Sequence, residues 1–78
     1  MEQRVFDCEQ YAVVVTAGDT LEVKVQEDSV HTVFSMSIWD YNVDWYEALL
    51  EKALCHYIEF KDAYRISEWV AGVYAEES

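Results

Sequence analysis

Six residues with acid or thiol side chains recur at helical spacing in the second half of the chain: Asp44, Glu47, Glu51, Cys55, Glu59 and Asp62, interrupted only by Lys52 and Lys61. At 100° per residue they share one outward helix face, and a rise of about 1.5 Å per residue separates Asp44 from Glu47 by about 4.5 Å and Glu47 from Glu51 by about 6 Å. Phosphates along a nucleic-acid strand recur on a comparable scale, so such a row can present charge to the Lys and Arg side chains that grip a backbone. The same pattern also describes the solvated face of an ordinary amphipathic helix. Glu22, Glu27, Asp28, Glu76 and Glu77 extend the acidity over the rest of the expected surface.

The run Trp39-Asp40-Tyr41-Asn42-Val43-Asp44-Trp45-Tyr46 interleaves four aromatic residues with two Asp where a strand gives way to a helix. Trp and Tyr bury large areas at little entropic cost and keep a polar tip, which suits them both to plugging a small core and to anchoring interfaces. Aromatic faces and carboxylates both complement guanidinium groups. The expected partner-binding surface is therefore Trp39, Asp40, Tyr41, Asp44 and Trp45 together with Glu47, Glu51, Glu59 and Asp62. Helical phase turns Tyr46 inward and leaves Trp45 near the boundary.

Catalytic and metal chemistry are poorly served by the remaining candidates. His31 and His56 lie on different elements, and Cys55 and His56 are sequence neighbours that point about 100° apart on a helix. No Ser-His-Asp series, Gly-rich phosphate loop, Cys-x-x-Cys or His-x-x-x-His spacing occurs. The expectation is no enzyme, no cofactor and no metal. Cys8 and Cys55 meet only if the N-terminal segment crosses the outer face of the helix, and without a secretory signal reduced thiols are the default.

The elements that must position these residues divide into two halves. Tyr11 to Thr16 is a β-branched run ending at Ala17-Gly18-Asp19, where Gly18 and Asp19 suit a tight turn. Leu21, Val23 and Val25 then alternate with Glu22, Lys24 and Gln26, a two-residue period with one face inward. After Glu27-Asp28-Ser29, a third strand from Val30 to Trp39 places Val30, Thr32, Phe34, Met36 and Ile38 on one face. A further short strand around Arg4 to Asp7 is only weakly signalled. From about Val43 to Ile58 the apolar stripe becomes Tyr46, Leu49, Leu50, Ala53, Leu54 and Tyr57, which is helical. A second stripe, Ala63, Ile66, Trp69, Val70, Val73 and Tyr74, is out of phase with the first and predicts a break near 60–62, with Asp62 or Ser67 as cap. Neither layer can bury its stripe alone, so the expected fold is a two-layer α+β domain over residues 1–78. Its three-stranded antiparallel sheet is followed by two helices (β-β-β-α-α), and the Tyr11–Thr16 strand is central if burial, not connectivity, sets an order that the sequence leaves open.

Charge then narrows the class of partner. With 16 Asp and Glu against 5 Lys and Arg, the net charge is −11 in 78 residues that are 53% hydrophobic. That apolar content supports a folded core, and the negative potential disfavours nucleic acid and anionic membranes as direct ligands while favouring basic protein surfaces. The chain resembles, in length, acidity and compactness, the small acidic phage proteins that act against host nucleases and CRISPR complexes. The resemblance implies an inhibitor that mimics nucleic acid and occupies the basic site of a DNA- or RNA-handling complex. An accessory subunit or antitoxin-like module that binds one basic partner without mimicry is the alternative, and a homodimer with the aromatic run as its seam is a third. The N-terminal residues do not read as a signal peptide and no apolar run reaches the ~18 residues of a membrane span, so a cytoplasmic location is expected, the host cytoplasm for a phage-encoded protein.

Overall fold

The computed structural model describes residues 2–9, 11–26, 29–37 and 45–77, with side chains to residue 75. A four-stranded antiparallel sheet precedes two helical segments, an α+β arrangement: β1 (Glu2–Asp7), β2 (Ala12–Ala17), β3 (Thr20–Gln26), β4 (Val30–Ser37), then α1 (Trp45–Glu47) with its continuation to residue 56, then α2 (Phe60–Glu77). The strands lie in sequence order, so β2 and β3 are both interior and β1 and β4 form the edges.

The fourth strand corrects the expectation of three. Only Phe6 of β1 is buried, and its other five residues are exposed. So short an apolar signature says little by itself, yet β1 completes a full register against β2, from Glu2 opposite Ala17 to Asp7 opposite Ala12. Backbone pairing to β2 and the buried Phe6 ring, edge to face with Trp69 at 5.8 Å, hold this strand in place.

Alternation in β2 and β3 turns Val13, Val15, Ala17, Leu21, Val23 and Val25 inward, all at 1% exposure or less. Each buried Val or Leu contributes about 1.5–3 kcal/mol relative to the exposed state. The turn between these strands leaves both of its expected turn residues, Gly18 and Asp19, without a left-handed φ. Tyr74 of α2 donates its hydroxyl hydrogen to the Gly18 carbonyl at 3.0 Å, fastening the last helix to this hairpin.

β4 departs from a simple alternation. Val23 pairs with Phe34 but its neighbour Lys24 pairs with Thr32, so Val33 is an extra residue in a bulge. A one-residue insertion exchanges the faces on either side of it. Phe34 and Met36 stand opposite the buried Val23 and Leu21 and pack on the core, whereas Thr32 and Val30, expected on the same face, stand opposite Lys24 and Gln26 and are exposed.

The first helical segment is irregular. After α1 it widens over Ala48–Ala53 to i→i+5 bonding and then tightens over Leu54–His56 to a 3-10 turn. The winding follows burial: Trp45, Leu49, Leu50, Ala53 and Leu54 are all buried. These five would spread over about 180° of an α-helix at 100° per residue, but they gather within about 115° at the roughly 82° per residue of a wide turn. Trp45, not Tyr46, therefore enters the core.

The break falls at 57–59, just before the expected 60–62. The amides of Tyr57 and Ile58 both donate to the Leu54 carbonyl, at 2.9 and 3.0 Å, and the Glu59 carbonyl then accepts from Asp62 and Ala63 at 3.1 and 3.0 Å to start α2. Glu59 is thus the residue at which the helix begins. Asp62 sits inside its first turn, and Ser67 lies buried in mid-helix, not at a cap. From α2, Ala63, Ile66, Val70 and Tyr74 enter the core, with Trp69 and Val73 packed at its margin. The Ser67 hydroxyl is buried and has no hydrogen-bond partner among the described residues.

Candidate functional site

The acidic residues expected to form a single row are divided between separate elements. Glu47 and Glu51 are exposed on the first helical segment, as is Cys55 in its last turn. The chain then turns, so Glu59 stands in the break and the half-buried Asp62 on α2. The row therefore does not run as one line along one helix. Trp39, Asp40, Tyr41 and Asp44 lie outside the described residues, as do Glu27 and Asp28. Trp45, the remaining aromatic of the expected surface, is 6% exposed and has little area to offer a partner.

Cys55, Glu59 and Asp62 converge on a depression of about 220 Å³ at the break between the helical segments, where His56, Tyr57 and Ile58 complete its helical wall. Glu9, from the turn joining β1 and β2, lines it as well. That turn is closed by the Cys8 amide donating to the Tyr11 carbonyl at 2.9 Å, and Tyr11 meets Tyr57 edge to face at a centroid distance of 6.2 Å. The tyrosine pair thus brings the strand turn against the helix break, so that Glu9 lines the same depression as Glu59 and Asp62. The sequence reading missed Glu9, because its place beside the helical carboxylates depends on a contact between residues about fifty positions apart.

Two of the three carboxylates have neighbouring cations. Lys61 Nζ lies 3.6 Å from Glu59 and Arg65 Nη2 lies 3.5 Å from Asp62. Lys61 and Glu59 are both largely exposed, so their pairing is screened and easily exchanged for a partner's cation. Arg65 is held more firmly, since its guanidinium also stands 5.6 Å from the Phe6 ring centroid; Arg4 covers the same ring at 4.7 Å. Beside this group, the Cys8 thiol has its pKa raised, first by burial and then by the Asp62 charge, so it remains protonated at neutral pH. Cys8 and Cys55 are both free thiols. No group of three or more His, Cys, Asp or Glu among the described residues is arranged to hold a metal ion.

Around the outer side of α2 the chemistry changes from charge alone to charge with aromatic rings. Phe60 and Tyr64, one turn apart, stack with centroids 6.2 Å apart and planes inclined at 27°. Another turn on, Glu68 accepts hydrogen bonds from Tyr64 at 3.1 Å and from Tyr46 of the first helical segment at 3.0 Å. Burial, followed by the Glu68 hydrogen bond and charge, pushes the Tyr46 pKa up to about 12, and the Glu68 hydrogen bond also raises that of Tyr64. Both phenols are therefore donors at physiological pH. Phe60, Tyr64 and Glu68 recur every four residues opposite the apolar stripe, a pattern open to view in the sequence but overshadowed there by the Trp-rich run.

The sheet's outer face offers a different surface. Val5, Val14, Lys24 and Thr32 form one cross-strand row and Thr16, Glu22 and Ser35 part of the next. Lys24 and Glu22 neutralise one another at 3.4 Å. No described helix is long and apolar enough to cross a membrane. No protein-family model, curated protein or solved structure matches this chain.

Proposed function

We propose that the protein binds a basic protein surface, one that normally engages nucleic acid, and so inhibits a DNA- or RNA-handling complex in the manner of a phage counter-defence or anti-CRISPR protein. The observation that carries this reading is the convergence of Glu9, Glu59 and Asp62 from two separate elements on one depression, in a chain of net charge −11. A partner's Lys or Arg entering there meets several carboxylates at once, and the long-range field of the whole chain accelerates its approach. Glu47 and Glu51, exposed on the adjoining segment, extend the negative surface toward further basic groups. Binding, not catalysis, is the role assigned to the site, and direct contact with nucleic acid or an anionic membrane is opposed by the same charge.

Capture of partners on the immobilised protein, with and without excess duplex DNA or RNA, tests the proposal. Mimicry requires that nucleic acid displace the captured partner. A partner that remains bound at saturating nucleic acid would replace this reading with that of an accessory or antitoxin-like module. A measured mass of twice the chain would instead direct attention to a self-interface.

A further inference from the structure

Exposed aromatic rings are unusual on a surface otherwise given to charge, and α2 carries two of them side by side. Phe60 is 60% and Tyr64 47% exposed, while Ala63, Ile66 and Val70 on the inner face of the same helix are fully buried. Leaving that much ring area in water forgoes the burial that stabilises the rest of the helix. The pair also continues directly from the acidic depression, since Phe60 follows Glu59 in sequence. At the far end, Glu68 is gripped by two phenol hydrogens. A carboxylate has about four acceptor positions, so two phenols orient it and leave acceptor capacity unused.

We propose that the Phe60–Tyr64 stack and Glu68 form an arginine-reading anchor, which takes the guanidinium of a basic protein partner flat against the rings with its N–H groups directed at the carboxylate. This rests on the reading above that the partner is a basic protein, and it deepens that reading by naming the side chain recognised. The site favours Arg over Lys for a geometric reason. A planar guanidinium stacks on an aromatic face while donating in its own plane, whereas an ammonium is a compact, strongly hydrated point charge. Charge complementarity sets the sign of the occupant, and the rings set its shape. The chain's own Arg4, 4.7 Å from the Phe6 ring centroid, exemplifies the contact.

The test compares octa-arginine with octa-lysine, peptides of equal formal charge, by calorimetric titration of the full chain. The anchor predicts that octa-arginine binds tighter than octa-lysine by about two- to fivefold, the scale of an exposed cation–π contact. The preference should vanish in the Phe60→Leu/Tyr64→Leu double variant, which keeps apolar bulk at both exposed positions. Glu68→Gln, whose amide oxygen can still accept from Tyr46 and Tyr64, should weaken octa-arginine more than octa-lysine. Equal affinities in the parent chain, no binding of either peptide, or a preference that survives the double variant would each overturn the anchor. Failure of the wider reading shows elsewhere, as a captured partner that nucleic acid does not displace, so the two outcomes are distinguishable.

Discussion

The outer face of the sheet and the outer face of the helical layer both leave apolar side chains in water, and they do so differently. On the sheet, Val5 and Val30 are each more than half exposed, but their cross-strand neighbours are short or neutral, and the Lys24–Glu22 pair cancels its own charge. On the helical side, Phe60 and Tyr64 stand between carboxylates, Glu59 at one end and Glu68 at the other. Exposure alone therefore does not mark a binding surface. Scattered valines are an ordinary feature of protein surfaces, whereas rings flanked by acids have a specific chemical complement.

That contrast can be broken most severely by removing what holds the two layers together. Ile66 is fully buried where α2 meets the core, and Ile66→Ala should cost about 2–5 kcal/mol, read as a lower urea midpoint. A loss under 1 kcal/mol would mean that α2 is not seated as described. Next in size is charge reversal in the depression. Glu9→Lys with Glu59→Lys should reduce affinity for the basic partner tenfold or more, about 1.4 kcal/mol or above, since like charges would then face each other. Val5→Lys on the sheet should leave the affinity within twofold, and an equal loss from both would erase the distinction between the faces.

Two helix substitutions refine the account of α2 by about 1 kcal/mol each. A Cβ added at Gly72 meets nothing within 4 Å, so Gly72→Ala should raise stability by about 1 kcal/mol through helix propensity alone. Ser67→Ala removes a buried hydroxyl that has no partner among the described residues and should stabilise by a similar amount, less whatever the small void costs. Destabilisation by either, in thermal or urea melts, would contradict the environment assigned to that residue.

The smallest effect concerns the phenols around Glu68. Because the folded-state pKa of Tyr46 is raised from 10 to about 12, its protonated form is favoured by folding. That contribution is complete below pH 10 and is lost as pH rises toward 12. Ultraviolet titration of phenolate should show a late-ionising tyrosine that disappears in Tyr46→Phe. A parent curve identical to that of the variant would remove the Glu68 network from the helical face.

Much of the architecture was legible in the sequence. The alternation of Leu21, Val23 and Val25 and the stripe Ala63, Ile66, Val70, Tyr74 need only their own periods to be read, and both proved buried. β1 was faint because only Phe6 of its six side chains is buried, which leaves little apolar pattern to read. The bulge at Val33 was hidden for a related reason: an inserted residue is visible only against the partner register. At the candidate site, Glu59 and Asp62 were legible as acidic helix-face residues, but their juxtaposition with Glu9 was not.

By itself, the sequence determined the sign of the surface charge, the change from a two-residue to a helical period, and the buried sets of β2, β3 and α2. These depend on composition and local spacing alone. The tertiary structure decided the order and number of paired strands, the wide winding that buries Trp45, the break that parts Glu51 from Glu59, and the meeting of Glu9 with Glu59 and Asp62. Each of those depends on how a segment packs against the rest of the fold, and local period carries no information about that packing.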